Sequence, residues 1–231
     1  MSTAASSALR KAAPGPHPGA LAVVSAALFG VGLFVLSNPA LRFPRPSDAP
    51  AVLSAYFSAN AAHAQLCAFF QFGAAIVLGL YTAAATNRMQ FLGVRVTGVR
   101  IALFGGWFAS FNSLLVAGLF WVLAQPGVAA DASLAHALFL FAFALGGTGY
   151  ATTLGLLCAG LSVPALFYRL LPRWLAICGL VIALIGELSW FGLIAPRFDI
   201  LIPLTRFPGY LWIIAAGFAL PRTRMVSARA E

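Results

Sequence analysis

Six apolar runs, each close to the length of a bilayer crossing, constrain this chain more than any other feature of it. A hydrocarbon core needs about 20 apolar residues per helix, and such runs occupy residues 19–36, 61–83, 101–123, 134–162, 174–194 and 200–220. Only 8% of the 231 residues are charged, against roughly 25% in an ordinary soluble domain. A chain so poor in charge cannot cover its surface for water. The sequence therefore predicts an all-α bundle of six transmembrane helices. Residues 1–18 read as a polar tail, 19–220 as the membrane domain and 221–231 as a short basic tail. No small-x-small cleavage site cleanly follows the first run, which reads as a span and not as a signal peptide.

The net charge of +9 would suggest nucleic acid as a partner of a soluble protein. Here the charges sort by loop. With the N-terminus inside, Arg10, Lys11, Arg88, Arg95, Arg100, Arg169, Arg173, Arg222, Arg224 and Arg229 lie on the cytoplasmic side. The other side holds Arg42, Arg45 and Arg197, with Arg206 nearby, and also Asp48, Asp131 and Asp199. That bias follows the positive-inside rule and places both termini in the cytoplasm. The expected partners are the lipid bilayer and a protein partner or second copy of the chain, with no nucleic acid.

Punctuation along the chain refines the spans. Ser47-Asp48-Ala49-Pro50 is a helix-start signature, so the second helix begins well outside the membrane. Gly146-Gly147-Thr148-Gly149 predicts a kink within the long fourth run. An offset of 73 residues aligns Ala62-His63-Ala64 with Ala135-His136-Ala137, Arg100 with Arg173, and Gly106 with Gly179. A parallel repeat would then relate helices two and three to helices four and five.

Chemistry is sparsely encoded. The sequence has no Walker A, HExxH, GxSxG or CxxC motif, and no lysine in any span. Cys67, Cys158 and Cys178 fall in apolar runs without metal-ligand spacing. Nothing marks a catalytic residue, and the balance leans away from an enzyme. Glu187 is the one acidic residue within a span, roughly 21 Å above the inner boundary at 1.5 Å per residue. Arg206 lies at a similar height, roughly 24 Å by the same count. An intramembrane ion pair between them would remove two isolated charges, either as a working site or as a staple between the last two helices. Gln71, Asn112, Tyr150 and Thr152 fall at comparable heights and would line an outward-facing polar pocket with that pair. His63 and His136 sit near the outer starts of two inward-running helices, where they could ligate a metal or the iron of haem b. No other cofactor is indicated.

Phe91-Leu92-Gly93-Val94-Arg95, Leu171-Pro172-Arg173-Trp174-Leu175, Gly186-Glu187-Leu188-Ser189-Trp190 and the stretch 202–209 resemble poorly characterised bacterial multi-helix membrane proteins of the domain-of-unknown-function type. The resemblance covers about two-thirds of the chain. It implies an inner-membrane protein of about six spans and no established activity. The leading functional expectation is small-molecule or ion permeation or sensing through the outward pocket. The alternatives are a non-catalytic accessory subunit or membrane scaffold, and a haem- or quinone-linked redox protein.

Overall fold

The computed structural model describes residues 9–37 and 42–226; the outer parts of both predicted tails lie outside them. Among the described residues six helical segments are long and apolar enough to cross a membrane. They are α1 (Pro18–Leu36), α3 (Ala61–Phe91), α4 (Thr97–Leu123), the composite segment Ala132–Phe167, the segment Arg173–Leu193 and the segment Pro196–Ala219. The predicted bundle is thus observed, with α3 running on to Phe91 and the fourth span to Phe167, beyond the ends of 83 and 162 read from hydropathy. Two short helices, α2 (Pro50–Ala59) and α5 (Pro126–Ala130), stand apart from the spans. Proline opens each of them, where a missing N–H costs nothing.

The fourth span is built from α6 (Ala132–Phe143), a π-helical turn over Ala144–Gly149, and α7 (Tyr150–Phe167). Asp131 caps its start by accepting from the backbone N–H groups of Ser133 and Leu134, each at 3.0 Å. The expected irregularity at the glycines takes the form of this π turn, a recognised site of helix kinking, and the helix does not break there. The glycines widen one turn and let the span continue, the form a local misfit takes when neighbours hold both ends. The fifth span is α8 (Arg173–Leu188) with a 3-10 turn over Ser189–Leu193. The sixth is a 3-10 turn over Pro196–Ile200 running into α9 (Leu201–Ala219).

Each span packs on its sequence neighbour, and α9 returns to α1, so the six close into a ring. Short connections favour this antiparallel order. On one side α3 ends with Gly93 at φ 92°, a left-handed residue that terminates the helix before α4 begins. The same side carries the pairing of β1 (Leu9–Ala12) with β2 (Thr223–Val226). Both described ends of the chain therefore leave the bundle on one face, as an even number of spans requires. The α1–α9 seam closes tightly there: a Cβ on Gly217 would stand 2.6 Å from the Gly19 nitrogen, and His17 packs on the Phe218 ring at 5.0 Å. Burial, with Arg222 and Arg88 nearby, holds the His17 imidazole below its ordinary pKa.

The outer surface of the spans is apolar. On α8 the exposed residues Trp174, Ile177, Val181, Leu184 and Leu188 recur along one face, a stripe that a soluble protein would not leave uncovered. Inside, two apolar clusters form. One runs through the ring and includes Leu78, Tyr81, Leu154, Leu157 and Ile213. The other joins Leu53, Tyr56 and Phe57 of α2 to Leu36, Leu123 and Phe139 at the far end of the spans. The Tyr56 hydroxyl donates to the Leu36 carbonyl at 2.9 Å, and the Ser54 hydroxyl donates to Ala129 at 2.7 Å. Thus α2 and α5 form a cap, folded over the end opposite the termini. The loop entering α2 is held by Asp48, which accepts two bonds of 2.9 Å from Arg42 and one of 2.7 Å from the Arg45 N–H. These donors keep its carboxyl below the usual aspartate value, the Arg45 N–H most strongly.

The 73-residue offset has a limited structural echo. Gly106 approaches Thr82, and Gly179 approaches Ser162, each on the span that precedes it. By contrast α3 runs without any counterpart of the π turn.

Candidate functional site

Where the two clusters meet they leave a cavity of about 360 Å³. Its walls are Phe29, Leu33 and Leu36 of α1, Val116 and Phe120 of α4, Phe139 and Phe143 of α6, Ile202 of α9, and Phe43 from the loop before α2. Gly146 and Gly147 of the π turn complete one side, so the widened turn is part of the wall. Polar groups are few: Ser37, Cys67, Gln71, Ser113 and Arg206. Among the described residues no aspartate or glutamate lines it, and the one charged group on its wall is the Arg206 guanidinium.

Arg206 arrives there by helix geometry. Ile202, Arg206 and Tyr210 are spaced by four on α9 and so share a face. That face looks into the ring: Ile202 and Tyr210 are buried, and Arg206 is half-buried and lines the cavity. Its guanidinium carbon lies 4.9 Å from the centre of the Tyr150 ring and 5.6 Å from that of Phe29. Phe29 stacks on Tyr210 at 4.7 Å, and Tyr210 on Tyr150 at 6.5 Å. The charge therefore rests against an aromatic stack. Cation–π contacts of this kind stabilise by about 0.5–2 kcal/mol each, yet they occupy no N–H donor. Nε is fully buried and has no hydrogen-bond partner.

Glu187 is not its partner. Among the described residues the sole ion pair joins Arg42 and Asp48. The reason is azimuth. Gly186 and Thr205 meet across the α8–α9 interface, a Cβ on Gly186 standing 3.1 Å from the Thr205 methyl. One residue further along each helix turns the side chain by about 100°, which carries Arg206 toward Tyr150 and Phe29. On α8, Ile182 packs beneath Gly209 of α9, and Glu187 lies five residues on, about 140° round the helix. The carboxyl thus sits at the other edge of the buried face, with Oε1 buried and without a hydrogen bond. No cavity-lining residue comes from α8. Neutralising Glu187 and Arg206, singly and together, should give stability changes that add within about 0.5 kcal/mol, the rule for sites that share no contact. Thermal unfolding of the three variants measures this, and a coupling of 2 kcal/mol by the same rule would restore the pair.

The other expected pocket residues divide. Gln71 lines the cavity and donates to the Phe29 carbonyl at 3.3 Å, fixing α3 to α1. Tyr150 lies behind Arg206 as the ring that supports it. Asn112 does not line the cavity: it packs on Gly149, at the end of the π turn. Thr152 also lies outside it, donating at 3.3 Å to the Gly186 carbonyl, which accepts from Ser189 as well. It links α7 to α8.

The two histidines stay apart. His63 is exposed on α3, whereas His136 is half-buried on α6 with Nε2 unpartnered. The structure packs α6 on α2 and α4, and not face to face with α3, so the rings do not flank a common cleft. Among the described residues no cluster of three His, Cys, Asp or Glu side chains could hold a metal ion.

No family model, curated protein or solved structure matches this chain. The site is therefore read from its own geometry. Sequence reasoning missed Phe29, Phe43, Tyr210 and the capping helices. Tyr210 had a signal, its spacing of four from Arg206. Phe29 and Phe43 had none, because they reach the cavity only through packing between distant segments. Of the capping helices, which do not line it, the start of α2 is marked by Ser47-Asp48-Ala49-Pro50 and that of α5 was not read.

Proposed function

We propose that the protein is a small-molecule receptor or carrier of a bacterial inner membrane, working through the cavity at Arg206. One observation carries this reading: the Arg206 guanidinium lines a cavity within the bundle, and no carboxylate among the described residues faces it. An ionisable group inside a membrane is costly and is kept where it binds or moves something. The volume falls within the range of small-molecule sites, about 300–1,000 Å³. The basic residues Arg88, Arg95, Arg100, Arg169, Arg173 and Arg222 belong to the face that carries the termini, which assigns that face to the cytoplasm. The cavity then lies in the outer half of the bilayer, under the cap.

Ser113 lines the cavity from α4. A Ser113→Cys variant, with Cys67, Cys158 and Cys178 replaced by alanine, should be labelled in intact cells by a membrane-impermeant methanethiosulfonate carrying a sulfonate. Labelling only after detergent solubilisation would show a sealed void and defeat the reading.

A further inference from the structure

The contents of the cavity specify what it should hold. Resting on the reading of the cavity as the working site, we propose that its ligand is a single-chain amphiphile with a small oxyanion head. The head, a carboxylate or a phosphate, would sit on the Arg206 guanidinium, with its apolar body among Phe29, Leu33, Phe120 and Phe139.

Three features point the same way. The charge is positive and unopposed, since no aspartate or glutamate among the described residues lines the cavity. The donors are free: Arg206 donates no hydrogen bond among the described residues, and its Nε is buried without one. Contacts to Tyr150 and Phe29 hold the guanidinium in place without using those donors. A planar fork so held matches an oxyanion in two-point fashion, which a point-charge ammonium would not. The remaining wall is aromatic and aliphatic, and the cavity of about 360 Å³ is far larger than an inorganic anion needs. An apolar body is required to exclude water from the rest of it. A cationic or purely apolar ligand would leave the guanidinium buried and unsatisfied, a heavy penalty.

The ligand could reach the site as a free organic acid or as a phosphate-headed membrane lipid. The test uses the full-length protein in nanodiscs of zwitterionic lipid, with ligand-induced change in unfolding temperature as the readout. Decanoate, decanol and decylammonium are compared at one chain length, and a single-chain phosphatidic acid is added in a separate arm. Decanoate should bind at least tenfold more tightly than decanol or decylammonium. It should lose that advantage in Arg206→Gln and lose binding in Ser113→Trp, which fills the cavity from α4. Preference for the phosphatidic acid over decanoate, with the same dependence on both residues, would support the oxyanion head and assign the lipid as its source. Equal binding of decanol and decanoate, abolished by Ser113→Trp, would overturn the oxyanion head and leave the cavity as the site. Binding indifferent to Ser113→Trp would place the ligand elsewhere and overturn the proposal.

Discussion

Replacing Arg206 by methionine should leave the empty protein as stable as before, or more stable, while reducing oxyanion binding by about tenfold or more. Two terms of opposite sign decide the stability. Placing an arginine near the middle of a membrane helix costs about 2.5–3.5 kcal/mol on the insertion scale. The contacts with Tyr150 and Phe29 offset that by about 1 kcal/mol each when partly desolvated. No carboxylate among the described residues is left behind, because Glu187 forms no ion pair with it. The difference favours methionine by about 1 kcal/mol, which raises the unfolding temperature by about 2–4 °C in a chain of this size. A loss of 2 kcal/mol or more, measured in nanodiscs without ligand, would mean that the arginine holds the bundle together and is not reserved for a ligand.

The largest loss of stability should come from Gly160→Ala on α7. This helix passes α4 at backbone contact. A Cβ on Gly160 would meet the Ala102 amide nitrogen and stand 2.6 Å from the Gly98 carbonyl. Nearby, a Cβ on Gly105 of α4 would stand 2.6 Å from the Leu157 nitrogen and the Thr153 carbonyl. Backbone atoms cannot rotate away, so a single methyl must separate two helices along several turns. The cost should lie at or above the upper end of the usual overpacking range, about 3 kcal/mol. Gly147→Ala in the cavity wall is the control. Its new methyl would stand 3.0 Å from the Ile202 Cδ1, the movable end of a side chain beside empty space, and should cost less than about 1.5 kcal/mol. Unfolding of both variants in mixed micelles tests the contrast. Equal effects would show that α4 and α7 can separate without penalty.

Hydropathy made the spans legible, because a bilayer imposes a length and forbids charge over it. The same rule drew attention to Glu187 and Arg206 and gave their heights. Height was the whole of what that count could supply. Two residues at one depth meet only if their helices turn them toward each other, and that angle is set by which small residues allow which helices to touch. At the Gly186–Thr205 contact the count was right to within a residue, and a residue is about 100°. Gln71 faced the cavity, whereas Thr152 turned to the α8 backbone. The π turn was visible as a glycine cluster, but its outcome depended on partners such as Val116 and Asn112 that no local pattern names.

Closing the ring through α9 has a consequence for how the protein is made. α9 leaves the ribosome after the other five spans, and its segment, Pro196–Ala219, is the least hydrophobic of the six, with a mean hydropathy of 1.4. Its arginine would be a poor entrant into lipid alone. By then Phe29 and Tyr150 are already in the membrane on earlier spans, and the gap between α1 and α8 offers α9 an aromatic berth. Delivery of the charge and completion of the cavity are then one event, so a chain cut short before α9 should have neither.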